Sequence, residues 1–161
     1  MKMDLPKRKN ARLKDYDYTQ NGYYFITICT HKKQKVLCDI VGEGLCALPK
    51  IILSEIGKIT DEAINFINQN YKTISVDKYI IMPNHLHLII KIDNQTGGHG
   101  DPPLPNVIGY LKSFTTHKYG KPLWQRSFHD HIIRGKNDYL KIWNYIDTNP
   151  QKWSEDCFYV E

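Results

Sequence analysis

Two histidines one residue apart, His85 and His87, sit inside the run Ile81-Met-Pro-Asn-His-Leu-His-Leu-Ile-Ile90. The run reads as a strand, and strand alternation sends both imidazoles out of the same face. Their Cα atoms would lie about 6.5–7 Å apart, close enough for two ring nitrogens to meet on one ion. Leu86 and Leu88 then point the other way, into a core. A bare His-x-His fits two polar residues on a solvated sheet face equally well.

The second group with chemical potential lies in Asp138-Tyr-Leu-Lys-Ile-Trp-Asn-Tyr-Ile-Asp-Thr-Asn-Pro150. At about 100° per residue, Tyr139, Ile142, Trp143 and Ile146 share one apolar arc. Tyr145 falls at its edge, beside Asp138, Lys141 and Asn149. A tyrosine at such a boundary can bury its ring and present its hydroxyl to a cleft. Asn149, one turn further on, can offer its carbonyl oxygen to a metal. Boundary packing and a helix end before proline account for the same two residues without any chemistry.

The elements that must position these groups follow from periodicity and punctuation. Tyr23, Phe25, Ile26 and Ile28 predict a first strand. The stretch 35–50 has no clean period. Leu53, Ile56, Thr60, Ala63 and Ile67 predict a helix with Ser54 as its N-cap. Strands are expected over 73–81 and 86–92, divided by Pro83-Asn84, as an antiparallel pair with a tight turn. Residues 93–105, rich in glycine and proline, read as a mobile loop. A helix over about 106–119 turns Val107, Ile108, Leu111 and Phe114 inward and ends at Gly120. A short strand at 131–134 precedes a third helix, with Asn137 as its N-cap and Pro150 stopping it near Asn149. Helices and strands mix without βαβ alternation. The expected class is α+β, a central antiparallel β-sheet flanked by helices.

With 161 residues, 41% apolar and 24% charged, the chain reads as one globular domain, 1–161. The net charge of +5 agrees with a nucleic-acid partner without requiring one. The charge is uneven. Lys7, Arg8 and Arg12 belong to a basic arm over residues 1–20, and Lys32, Lys33 and Lys35 follow the first strand. Lys112 and Arg126 are candidate DNA contacts or ordinary solvated side chains. His131 and Arg134 are read as sharing one face of the short strand, where they can touch phosphate. Cys29, Cys38, Cys46 and Cys157 match no zinc or disulfide framework, so free thiols in a reducing compartment are expected. No apolar stretch is long enough to span a bilayer and no secretory signal opens the chain, which points to the cytoplasm.

Taken together the motifs resemble a known family. Met82-Pro-Asn-His-x-His87, then Trp124-Gln125…Phe128-x-Asp130-His131-x-Ile133-Arg134, then Tyr145-Ile-x-x-Asn149-Pro150 are similar to the REP-associated tyrosine transposases. These are relatives of the single-tyrosine HUH transposases of small insertion sequences. The opening Asp15-Tyr-Asp-Tyr-x-x-x-Gly22-x-Tyr24-Phe-Ile-Thr27 resembles that family's start, so the likeness covers nearly the whole chain.

The resemblance implies a ferredoxin-like or RRM-like HUH nuclease fold. It also implies a metal-dependent endonuclease and strand transferase acting on single-stranded DNA with hairpin structure. In that scheme His85, His87 and Asn149 hold Mg²⁺ or Mn²⁺, and Tyr145 is the nucleophile that forms a 5′-phosphotyrosine. The chain would act as monomer or homodimer, and would associate with the nucleoid when bound to DNA. The alternative is a catalytically silent, domesticated protein that binds hairpins without cutting them.

Overall fold

Along Gly22–Cys29 (β1), Tyr24, Ile26 and Ile28 are fully buried at alternate positions. That alternation makes β1 a strand with one face committed to the main core. The computed structural model describes residues 15–42, 48–96 and 100–161. After β1 the elements are β2 (Cys38–Val41), β3 (Lys50–Leu53), α1 (Glu55–Asn70), β4 (Ile74–Met82) and β5 (His85–Ile92). Then come α2 (Leu104–Tyr119), β6 (His129–Ile133), α3 (Lys136–Thr148) and a 3₁₀ segment over Pro150–Glu155.

The central sheet has four strands in the order β4-β5-β1-β6, every pair antiparallel. Helices α1 and α2 cover one face, where Ile64, Ile67, Val107 and Leu111 meet Tyr24, Ile26, Leu86 and Leu88. Helix α3 covers the other face, where Ile146 joins Ile89 and Ile133 and is flanked by Phe25, Tyr139 and Trp143. The architecture is α+β with a central antiparallel sheet, as the pattern of elements predicts. Strands β4 and β5 meet through a two-residue loop, with Met82 opposite His85 and only Pro83-Asn84 between them.

Several local expectations differ from what is observed. The unassigned stretch 35–50 contributes β2, which pairs with β3 as a separate ribbon. Both strands are four residues long and partly exposed, so neither shows a readable alternation. Strand β6 runs from His129 to Ile133, so Arg134 lies beyond its end and does not share a strand face with His131. Helix α3 begins at Lys136, with Gly135 and not Asn137 at the N-cap position. Asp138 lies in its first turn and accepts the Arg134 N–H at 3.0 Å.

The C-terminal end of the arm expected over residues 1–20 packs on the core. Tyr18 is buried and donates to Asp130 Oδ2 at 2.7 Å, so residues 15–20 belong to the body of the fold. Lys7, Arg8 and Arg12 lie outside the described residues. Both ends of the predicted mobile loop are tied down. Asn94 N donates to Asn21 Oδ1 at 2.8 Å, and Asp101 accepts from Lys72 N, Thr73 N and Thr73 Oγ1. Among the described residues no helix is long and apolar enough to cross a membrane.

The expected helix boundaries hold best where a cap decides them. Ser54 Oγ accepts from Gly57 N at 3.1 Å and donates to Val36 and Leu37 carbonyls. Gly120 closes α2 in the left-handed region at φ 75°, as a C-terminal glycine does. Gly57 has a different role. A Cβ there would sit 2.0 Å from the Leu37 carbonyl oxygen, so α1 can lie against the chain before β2 only with hydrogen at this position. Replacing Gly57 with alanine should therefore lower stability by about 1–3 kcal/mol, as overpacking does, despite alanine's higher helix propensity. Urea unfolding measures this, and a midpoint equal to or above the parent's would contradict the close approach.

Candidate active site

His85 and His87 are 0% and 1% exposed, on a strand bonded on both edges, by β4 and by β1. Buried imidazoles need partners for both nitrogens, and here only one nitrogen of each has one. His85 Nδ1 meets Asn84 Oδ1 at 2.9 Å, and His87 Nδ1 meets Thr27 Oγ1 at 2.8 Å. The two Nε2 atoms are buried without a hydrogen-bond partner. An amide oxygen only accepts, so His85 carries its proton on Nδ1 and turns its Nε2 lone pair inward. Thr27 faces His87 across the β1–β5 pair, so strand register places this anchor.

A third orphaned atom lies beside them. Asn149, 3% exposed, leaves Oδ1 buried and unpaired while Nδ2 donates to Asp156 Oδ2 at 2.8 Å. Asp156 comes from the turn after the 3₁₀ segment, and its Oδ2 lies 4.0 Å from His85 Nε2. Ligand atoms of His85, His87 and Asp156 all fall within 4.8 Å of one another. Two neutral imidazole nitrogens, an amide oxygen and a carboxylate suit a divalent cation, and the three orphaned atoms gain a partner if one binds.

Burial governs the charge of the pair. It pushes the His85 imidazole down to about 4, against the opposing pull of the Asp156 carboxylate. Burial also holds His87 well below the ordinary imidazole range, and neighbouring His85 adds to this. Both rings are therefore neutral at pH 7, the form in which they can donate a lone pair to a metal.

Tyr145 reaches the pair from α3. Its ring centroid is 5.2 Å from that of His87 and 6.2 Å from Phe25, which it meets edge-on at 88°. The residue is 39% exposed and opens onto a cleft of about 420 Å³ also lined by Lys141, Asn144, Thr148 and Lys152. Burial of the phenol and the charge of Asp156 push its pKa up to about 12. The Asn149 side-chain amide acts in the opposite direction. The hydroxyl thus keeps its proton at neutral pH until something else stabilises the phenolate.

Four other sequence-selected residues fall into two groups, one on β6 and just beyond it and one by α2. His131 Nε2 pairs with Asp138 Oδ2 at 2.8 Å, opposite Phe25 in the β1–β6 pairing. Arg134 is exposed and follows the strand. Lys112 and Arg126 lie by α2, where the Lys112 ammonium donates to the carbonyls of Gln125 and Arg126.

No family model matches the chain. A Haemophilus influenzae protein of uncharacterised function is 31% identical, over 96% of this chain and 94% of its own length. A second Haemophilus influenzae protein, assigned as a REP-associated tyrosine transposase, is 28% identical over 84% of this chain and 74% of its own length. The REP-associated tyrosine transposase of Escherichia coli K12 is 29% identical over half of this chain and 47% of its own length. The chain belongs to the REP-associated tyrosine transposase family. A solved REP-associated tyrosine transposase bound to a REP hairpin superposes with a TM-score of 0.64 and 22% identity. It covers 88% of this chain and 73% of that one, and so shares the fold of this family.

Sequence reasoning missed the anchors and the carboxylate. Thr27 is an ordinary β-branched strand residue until the register pairs it with His87. Asn84 is visible in the Met-Pro-Asn-His run, but its bond to His85 needs the turn geometry. Asp156 stands in an aperiodic C-terminal segment with no spacing relation to the histidines.

Two outcomes follow for the isolated protein. With chelator present, both imidazoles bind fewer protons folded than unfolded below pH about 6.5, His85 down to about 4. Stability should therefore be full above that window and fall as pH drops through it. Urea midpoints at pH 7.5 and 5 test this, and a flat profile would mean the rings are not buried neutral. Asp156→Asn should weaken Mn²⁺ binding by about tenfold or more in a calorimetric titration. Unchanged affinity would remove Asp156 from the ion's surroundings.

Proposed function

We propose that the chain is a metal-dependent endonuclease and strand transferase for single-stranded DNA, acting through a 5′-phosphotyrosine on Tyr145. The observation that carries this reading is a half-exposed phenol, 5.2 Å between ring centroids from a buried imidazole whose Nε2 has no partner. The family adds the substrate class, since a solved member was captured on a REP hairpin. Repeats that form hairpins, in nucleoid DNA of the cytoplasm, are the targets this reading assigns.

His85, His87, Asn149 and Asp156 are the residues that would hold Mg²⁺ or Mn²⁺. Such an ion, when bound, supplies positive charge to polarise the scissile phosphate. The protein's own residues do the rest. Tyr145 presents its hydroxyl from the rigid helix α3, so attack needs no large rearrangement. Burial and the Asp156 charge hold the phenol proton, so attack requires its loss to a base, for which the Asp156 carboxylate is the candidate. The bond from Tyr145 Oη to phosphorus forms as the bond to the 3′ oxygen breaks. The 5′ end stays on the enzyme, and the departing 3′ oxygen takes a proton from solvent to leave as a free 3′-OH. Energy conserved in the ester lets another 3′-OH reverse the step, which is strand transfer. Thr27 and Asn84 fix the two rings, as partners of metal-bound histidines commonly do. His131 and Arg134 are candidate phosphate contacts on β6 and just beyond it, and Lys7, Arg8 and Arg12 supply further positive charge in the chain.

A denaturing gel tests the reading with a labelled single-stranded oligonucleotide carrying a hairpin from the gene's own flanks. The parent with Mn²⁺ should form a covalent adduct. Tyr145→Phe should bind the same DNA with little change and form none. His85→Ala should lose adduct formation at millimolar Mn²⁺. Binding without any adduct from the parent would favour the hairpin-binding alternative, and cutting without attachment would assign the nucleophile to water.

A further inference from the structure

The cleft onto which Tyr145 opens contains a cation that the fold leaves unengaged. Two lysines line it, Lys141 on α3 and Lys152 in the 3₁₀ segment, together with Glu155 and Asp156. They differ in what already holds them. Side chains on a helix lean toward its N-terminus, which turns Lys141 toward Asp138, one turn back. The Arg134 N–H and the His131 ring hold the Asp138 carboxyl below the usual carboxylate range, and the Lys141 charge adds to this. Among the described residues, no ion pair or side-chain hydrogen bond engages the Lys152 ammonium.

Lys152 is also tied closely to the site. It stands between Asn149, whose Oδ1 is buried and unpaired, and Trp153, whose ring centroid lies 5.9 Å from that of His85. Both neighbours are buried, while Lys152 is exposed. The Lys152 N–H donates to the Asn149 carbonyl at 3.1 Å, closing the turn between them. An exposed lysine pinned on either side by buried residues has its stem fixed at the mouth of the cleft.

We propose that Lys152 is a catalytic residue of strand cleavage and transfer, placing its ammonium on a non-bridging oxygen of the scissile phosphate. The proposal rests on the nuclease reading and adds a residue to it. A phosphodiester carries one negative charge, and Tyr145 brings a second once its proton is lost. That charge gathers on the phosphorus oxygens as the bond from Tyr145 Oη forms and the bond to the 3′ oxygen breaks. A donor aimed there meets more charge in the transition state than in bound DNA, so it acts on rate more than on affinity. An ammonium suits the task as a compact point charge with donors that rotate to follow the oxygen. Lys152 keeps its protons throughout, so the proton balance of cleavage is unchanged. Joining crosses the same transition state in reverse, and the lysine serves both directions.

Adduct formation with Mn²⁺ and saturating labelled hairpin oligonucleotide tests the assignment on the full chain. The variant is Lys152→Met, which keeps the aliphatic stem and removes the charge. It should form adduct about tenfold to a hundredfold more slowly than the parent, a loss below that of a fully enclosed donor. Its DNA affinity, by fluorescence anisotropy, should stay within about threefold of the parent's. An unchanged thermal melt confirms folding, and a calorimetric Mn²⁺ titration should match the parent's. Weaker Mn²⁺ binding would mean that the residue only holds Asn149 and Asp156 in place, and overturns the proposal. A rate equal to the parent's overturns it too, as does a loss confined to DNA affinity. An equal loss from Lys141→Met would report the general charge of the cleft and also overturns it. No adduct from the parent rejects the nuclease reading and the lysine's role with it. Adduct from the parent beside an unimpaired Lys152→Met rejects the lysine alone.

Discussion

Two imidazoles buried with their Nε2 atoms unpaired are the constraint around which this molecule is arranged. Leaving a buried polar atom without a partner costs about 1–3 kcal/mol. The sequence could have avoided the penalty with apolar side chains at 85 and 87, continuing the run of Leu86, Leu88, Ile89 and Ile90. The fold instead sets both rings on β5 and seals them beneath Tyr145, Phe158 and Trp153. Each Nδ1 is tied down by a different element, Asn84 in the hairpin turn and Thr27 in the neighbouring strand. Both Nε2 atoms are therefore fixed in direction, and on His85 that atom carries the free lone pair.

The same constraint explains the C-terminal segment. Past Pro150 the chain leaves the helix and crosses back over the sheet, carrying Asp156 to Asn149 Nδ2. Phe158 brings its ring 4.6 Å from His85, centroid to centroid, and its carbonyl accepts from Asn84 Nδ2 at 2.8 Å. Asn84 thus joins three things at once: its Oδ1 meets His85, its Nδ2 holds the C-terminal segment, and its carbonyl receives Thr30. A turn of two residues between β4 and β5 does this because Asn84 is itself 1% exposed and wholly enclosed by the elements it connects. The site is assembled by tertiary contacts among distant segments, with residues separated by more than seventy positions in direct hydrogen bonding.

How much of this could be read from residues alone follows from the range of each interaction. The His-x-His face, the Ser54 cap, the Gly120 stop and the Tyr145 boundary position are all local, set by strand alternation or helix period. They emerge directly. The order β4-β5-β1-β6 depends on strand pairing, which periodicity does not encode. Thr27 as an anchor therefore became visible only with the register. His131 and Arg134 do not share a face, because three residues along a strand change faces and because β6 ends at Ile133. Asn149 was visible through its helical relation to Tyr145. Asp156, seven residues further on in an aperiodic turn, had no comparable signal. The β2–β3 ribbon was hidden by brevity and half exposure.

Charge balance at the site shows why position alone does not make Tyr145 a nucleophile. The phenol has its pKa raised to about 12, and the two rings beside it are neutral. Asn149 brings no charge, while Asp156 brings a negative one whose effect on the phenol is to hold the proton on. A phosphodiester entering this cluster would meet a carboxylate, and the cations that line the cleft with Tyr145 are Lys141 and Lys152. Phenolate, phosphate and carboxylate would then converge at low local dielectric, where like charges repel strongly. Reaction in this geometry requires compensating positive charge between the histidine pair and the tyrosine. The protein's net charge of +5 cannot supply it from a distance, because solvent screens exposed lysines within about 8–10 Å. The donors with unspent lone pairs point to the place where that charge has to sit.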